Sequence, residues 1–480
     1  MPPSSDLVMM RATDLARAIR DRAVSAREVM QAHLDQIARH NPAVTAIVSL
    51  RDPDMLLAEA EAADRELAER GPRGPLHGLP HAVKDLSATA GLRTTQGSPL
   101  FRDTVPEVDA LHVARLRAAG AILIGKTNVP EFGLGSHSYN PVFGVTRNAY
   151  DPAKAGGGSS GGAAVALALR MVPLADGSDH GGSLRNPAAW NNVLGLRPAA
   201  GRVPGHTEEI FLPQLGVNGP MARSTADLAL LLSVQAGDDP RTPNAIRQDP
   251  ASFAAPRPRE LRGLRVGWIG DFGGHLAFEP GVLDLCEAGL KVFAAQGAAV
   301  EPVRPAFDPE AIWRAWLVLR QWITGANLSA HWRDPEKRAL MKPEAVWEVE
   351  QGQKLSAFDV HAASVTRTAW YHCVRGLFER FDVLALPAAQ VFPFDAGLTW
   401  PRSIDGRAMD TYHRWMEVVV PGTLSGCPVI SLPVGLNPAG LPMGIQLIAP
   451  NQAEADLLAI AAAYEAATGF DRTLPPALRA

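Results

Sequence analysis

The chain has 480 residues, of which 46% are hydrophobic and 20% charged, with a formal net charge of −4 at neutral pH. That balance is ordinary for a globular protein, and the small net charge offers no electrostatic footprint for nucleic acid or an anionic membrane. Three widely separated cysteines, Cys286, Cys373 and Cys427, argue against a disulfide framework or a closely spaced thiolate metal site and fit a reducing, cytoplasmic setting.

The N-terminus "MPPSSDLVMMRATDLARAIRDR" lacks a basic start followed by an uninterrupted apolar core, and so reads as a mature start and not a secretion signal. No segment approaches the ~18 continuous apolar residues of a membrane-spanning helix. Residues 11–70 carry helical periodicity, and "DPDMLLAEAEAADRELAER" offers Asp52 or Asp54 as an N-cap. From residue 76 to 204, short apolar runs such as "AILIG" and "MVPLA" alternate with glycine-rich turns, the texture of a sheet covered by helices. A Pro/Arg-rich link then leads to a strand at "LRVGWIG", a helix at "GVLDLCEAGLKVFAAQG" and a strand at 299–303. Residues 308–380 read as mainly helical and hold Trp313, Trp316, Trp322, Trp332, Trp347 and Trp370. Strand-like runs return at "FDVLALPA", "PVISLPVGL" and "MGIQLIAP", and an alanine-rich helix closes the chain near 453–467. Strands at both ends with helices between them favour one sheet assembled from distant segments.

The stretch "KAGGGSSGGAAVALALR" fits the G-x-G-x-x-G spacing of a dinucleotide loop through Gly156, Gly158 and Gly161. The preceding "NPVFGVTRNAYDPAKA" is too broken by Pro, Asn, Asp and Lys to be the buried strand that such a loop requires. Gly162-Ala163 stands where an ATP loop needs Lys-Ser/Thr, so that reading fails as well. A second glycine-serine stretch, "ADGSDHGGSLRNPAAWNNVLGLRP", combines tight turns with a hydroxyl at Ser183, which is the wiring of an oxyanion hole beside a nucleophile. Upstream, "HGLPHAVKDLSATAG" sets Lys84 in an apolar context, where desolvation can lower its pKa enough for it to act as a neutral base.

Together these stretches resemble the amidase signature family of Ser-Ser-Lys hydrolases, as do "GAILIGKTNVPEFGLGS", "GPMARSTADLALLL" and "GCPVISLPVGLNPAGLPMGIQLI" in the same order. The resemblance implies an α/β fold, a single large α/β/α domain over residues 1–480 with a central mixed twisted sheet of about 10–11 strands covered by helices on both faces. Within it lie N-terminal helices to about residue 70, a signature core at about 76–205, a variable helical segment at about 305–380 and a C-terminal return to the sheet. It implies Ser183 as nucleophile, Ser159 as bridging serine after a cis Gly158–Ser159 bond, and Lys84 as base. The main-chain N–H groups of His180, Gly181, Gly182 and Ser183 would form the oxyanion hole, with Ser160, Asp179 and Arg185 as supporting groups. A Ser183-His180-Asp179 triad is disfavoured because near-consecutive residues rarely supply that geometry. Asn148-Ala149 and Ala163 depart from the family's usual residues without touching the three catalytic roles.

No cofactor or metal is implied. The expected reaction is hydrolysis of the C–N acyl bond of a small amide, aryl or hydrophobic if the tryptophans line the pocket. A carbamate (urethane) or ester hydrolase is the nearest alternative. An amidase-like component of a tRNA-dependent amidotransferase ranks behind both, since the middle and C-terminal blocks read more like stand-alone amidases. The expected partners are accordingly a small-molecule amide or carbamate substrate, no nucleic acid and no membrane, with the chain a monomer or homodimer.

Overall fold

Among the described residues, the apolar runs that alternate with glycine-rich turns assemble into fifteen strands, eleven of them in one sheet. The structure is a computed structural model and describes residues 4–205, 209–212 and 215–479. In chain order the strands are β1 (Ile47–Val48), β2 (Pro80–Lys84), β3 (Ile122–Thr127), β4 (Tyr139–Asn140), β5 (Gly144–Val145), β6 (Leu174–Asp179), β7 (Leu194–Arg197) and β8 (Val217–Ala222). They continue as β9 (Arg265–Trp268), β10 (Ala299–Pro302), β11 (Val383–Pro387), β12 (Ser403–Ile404), β13 (Arg407–Ala408), β14 (Val429–Leu436) and β15 (Pro442–Ile448). The large sheet runs β1-β3-β2-β6-β8-β7-β14-β15-β11-β9-β10, while β4-β5 and β12-β13 are separate small ladders.

The sheet is mixed, as expected. β2 lies parallel to both β3 and β6, β9 is parallel to β10 and β11, and the strands from β6 across to β11 pair antiparallel. β2, β3, β7, β11 and β15 are buried along their whole length, and β3, β11 and β15 read accordingly as mainly apolar runs instead of alternating ones. β8 was not legible as a strand, because "VNGPMA" contains Asn, Gly and Pro. Pairing with β6 and β7 on its two sides overrides that poor propensity.

Helices flank the sheet. Ala26–Val44 starts with a Ser25/Glu28 capping box, and Asp52, not Asp54, caps Pro53–Arg70. The tryptophan-rich segment forms Pro309–Arg333, capped by Asp308 with proline in its first turn, followed by Pro335–Leu340, Pro343–Gly352 and Ala357–Leu377. Among the described residues no helix is long and apolar enough to cross a membrane.

Two structural features position the site. β2 ends at Lys84 just beyond its short pairing with β6, and the chain leaves β6 at Asp179 directly into the second glycine-serine turn. The helix Gly161–Ala168, with Ser160 as its N-cap residue, is buried along its length and presents the first glycine-serine turn to the same point.

Candidate active site

Lys84 ends β2 with its side chain fully buried. Its amine lies 2.9 Å from Ser159 Oγ, 2.8 Å from Ser160 Oγ and 2.9 Å from Ser178 Oγ, with the Ser178 carbonyl at 3.3 Å. Hydroxyls can donate as well as accept, so they satisfy a neutral amine, and among the described residues no carboxylate bonds Nζ to lock it as ammonium. Burial drives the Lys84 pKa down to about 7, against the opposing pull of Asp176 and Asp179. Ser178 was missed in the sequence, although it sits within "ADGSDHGGS"; its role becomes visible only when β6 is placed beside β2.

The Gly158–Ser159 peptide bond is cis. Ser159, Ser178, His180, Gly181 and Ser183 open onto one cavity of about 230 Å³, and Lys84 stands behind Ser159. The Ser160 N–H donates to the Ser183 carbonyl at 3.2 Å, tying the two glycine-serine turns together. The Ser183 and Ser159 hydroxyls and the buried Lys84 amine are thus gathered at one place from three distant segments.

Asp179 organises the turn that carries Ser183. Its carboxylate accepts the N–H groups of Gly182 at 2.9 Å and Leu184 at 3.1 Å, and takes a two-point bond from Arg185, with Nε and Nη2 each at 3.0 Å. Arg197 adds a contact at 3.3 Å. These cations and N–H donors hold the Asp179 carboxyl well below the usual carboxylate range, although burial alone would raise it. Arg185 spends its remaining donors on the Val419 carbonyl, Gln446 Oε1 and Thr423 Oγ1. The supporting positions expected of Asp179, Arg185 and Ser160 are therefore all occupied by hydrogen-bonding groups.

One expected oxyanion donor needs correction. The Gly182 N–H is committed to Asp179, because a carboxylate within hydrogen-bond reach outcompetes a transient ligand. The N–H groups of His180, Gly181 and Ser183 meet no protein acceptor among the described residues. Gly182 instead serves the turn: its φ is +89° and a Cβ there would come within 2.6 Å of the Val419 side chain. His180 makes no bond to Asp179, and burial together with Arg320 and Arg197 holds its imidazole well below its ordinary pKa. That leaves no Ser-His-Asp relay.

The tryptophan-rich segment lines the cavity through Arg320, Ile323, Thr324, Asn327 and Leu328 of its first helix, while its tryptophans pack elsewhere. Trp313, Trp316 and Trp370 are buried in the core, and Trp316 lies against Gly181 with its indole N–H 3.4 Å from the His180 carbonyl. The cavity is walled by Leu86, Gln96, Phe132, Arg320, Asn327 and Met416, among others, and by no tryptophan among the described residues. The condition set for an aryl or hydrophobic pocket, that the tryptophans line it, is not met among the described residues. A cavity of about 230 Å³ also falls below the usual range for larger organic ligands, roughly 300–1,000 Å³.

The family model described as Amidase matches residues 28–458. In Thermus thermophilus, the glutamyl-tRNA(Gln) amidotransferase chain of the A type is 37% identical, with 95% of this chain and 97% of that protein covered. The chain of the same name from Acidothermus cellulolyticus is 36% identical over 96% and 95% of the two chains. Among solved structures, a bacterial aryl acylamidase of the amidase signature enzymes superposes with a TM-score of 0.88 at 29% identity, covering 97% of this chain and 98% of that one.

These relatives overturn two expectations: a stand-alone hydrolase of small aryl or hydrophobic amides, carbamates or esters, and a monomer or homodimer that meets only a small molecule and no nucleic acid. The ranking failed for a physical reason. The Ser-Ser-Lys motif is common to both kinds of enzyme, the tryptophans that suggested a hydrophobic substrate do not line the cavity, and whole-chain charge says nothing about a separate protein that carries the nucleic acid.

Proposed function

The chain belongs to the amidase signature family and is an amidase-type enzyme acting on C–N amide bonds, and from that premise we propose that it is the amidase component of a glutamyl-tRNA(Gln) amidotransferase, releasing ammonia from the carboxamide of glutamine. The observation that carries this reading is sequence identity of 36–37% to amidotransferase chains of that kind along nearly the whole of both sequences. The modest cavity, with Gln96, Asn327 and Arg320 in its wall, suits a small polar amide. Such a role places the protein in the cytoplasm with the other amidotransferase components and tRNA.

The chemistry assigned to the site is a Ser-cisSer-Lys relay. Neutral Lys84 accepts the Ser159 proton while Ser159 Oγ accepts that of Ser183, whose Oγ attacks the amide carbon. The oxyanion is met by main-chain N–H groups of the 180–183 turn other than that of Gly182. Collapse breaks the C–N bond, the relay returns a proton to nitrogen, and ammonia leaves. Water then attacks the acyl-Ser183 ester with the same relay as base, giving free glutamate and regenerated serine. The test is ammonia release from glutamine by the chain assembled with the other amidotransferase components and charged tRNA. Glutamine-dependent release, lost in Ser183→Ala, is expected; an assembled complex that leaves glutamine untouched would overturn the assignment.

A further inference from the structure

β2 and β6 are paired only at His81–Leu174 and Ala82–Ala175, after which they part. β6 stays paired to β8 through Asp179, so the parting lies on the lysine side alone. In the gap, the Asp176 carboxylate replaces the ladder carbonyl that the Lys84 main chain would otherwise meet: its two oxygens lie 3.3 and 3.4 Å from the Lys84 N–H donor. The same carboxylate is 3.0 Å from His81 Nε2 on β2 and 3.6 Å from His112 Nε2 on the helix Leu111–Ala118. Asp176, His81 and His112 are all buried. An acid and two imidazoles inside a sheet are costly to bury, and apolar side chains would pack there at least as well.

We propose that Asp176, held by His81 and His112, is a positioning residue for Lys84: its carboxylate fixes the parted end of β2, from which the amine reaches three serine hydroxyls, and supplies a buried negative charge behind that amine. The proposal rests on Lys84 being the base. The charged and titratable groups packed around this strand end are Asp176 and Asp179 on β6, His81 on β2, His112, Asp85 just after β2, and Lys126 on β3. Lys126 is satisfied elsewhere, by the Ser87 carbonyl at 2.6 Å and Thr89 Oγ1 at 2.8 Å. Asp176 is the larger of the two carboxylate influences favouring the Lys84 ammonium.

The test is the pH dependence of Ser183 labelling by a fluorophosphonate on the full chain, which needs no knowledge of the natural substrate. Asp176→Asn keeps an oxygen for the Lys84 N–H and removes the charge. Its labelling midpoint is expected to fall by about one pH unit, because the ammonium loses a stabilising neighbour. If that variant does not fold, the combined Asp176→Leu, His81→Val and His112→Val chain replaces the whole polar cluster by apolar groups and is expected to show the same downward shift. A folded variant with an unmoved or raised midpoint would overturn the proposal. Lys84→Ala separates the two readings: wild-type labelling in that variant overturns the base assignment itself, whereas slow labelling there beside an unmoved Asp176→Asn profile overturns only the role of Asp176.

Discussion

At the scale of the residue, the proposed relay depends on keeping an amine neutral without expelling it from the core. Burial among hydroxyls lowers the Lys84 pKa to about 7, so with Lys84 as the base activity is expected to rise as pH increases through 7. The sign for stability follows. The folded value lies below the unfolded one of about 10.4, the unfolded chain binds more protons between them, and stability climbs with pH across that window. Lys84→Met is therefore expected to be inactive yet more stable than the parent below about pH 7, its advantage shrinking toward about pH 10, as denaturation at the two pH values would show. Lys84→Ala should slow turnover by roughly 10²–10⁴-fold, measured as kcat/KM on an activated amide. Lys84, Ser159 and Ser183 could be singled out only because their three stretches together resemble the amidase signature family; taken singly, each reads as a surface lysine or a turn serine. Ser178, Asp176, His81 and His112 could not be singled out, because their meaning depends on which strand lies beside which.

At the scale of the element, the second glycine-serine turn is shaped by what packs on it. A Cβ on Gly181 would approach Trp316 Cζ2 to 2.8 Å, so the helix Pro309–Arg333 sets the position of the turn. Gly181→Ala is expected to cost about 1–3 kcal/mol of stability and to reduce turnover, and adding Trp316→Leu should recover part of both. Recovery of neither in a folded double variant would show that the indole does not set the turn. From the other side, Asp179 ties the turn to Arg185 and Arg197 with all three side chains buried. Asp179→Asn is expected to destabilise the chain by about 3–5 kcal/mol, since it leaves two buried guanidiniums without their anion; chemical denaturation would measure this. Most of the elements could be read from the sequence: "AILIG", "LRVGWIG", "FDVLALPA" and "PVISLPVGL" all became strands near the expected places. β8 could not, because partners distant in sequence hold it in register, and the short ladders β4-β5 and β12-β13 could not, because strands of two residues are too short to show a period.

At the scale of the molecule, eleven strands from distant segments bring two serine turns and a lysine to one cavity, and the family assignment follows from that architecture. What the whole molecule serves was harder to read. Its charge and its middle and C-terminal blocks pointed toward a lone hydrolase, yet components of an amidotransferase align along nearly its whole length. The most direct measurement is intact-mass spectrometry of the chain, in its assembled complex, quenched during turnover of glutamine. A glutamyl adduct that maps to Ser183 and is absent from Ser183→Ala is the predicted result. Turnover of glutamine with the adduct on another residue, or no glutamyl adduct and no ammonia at all, would contradict the account.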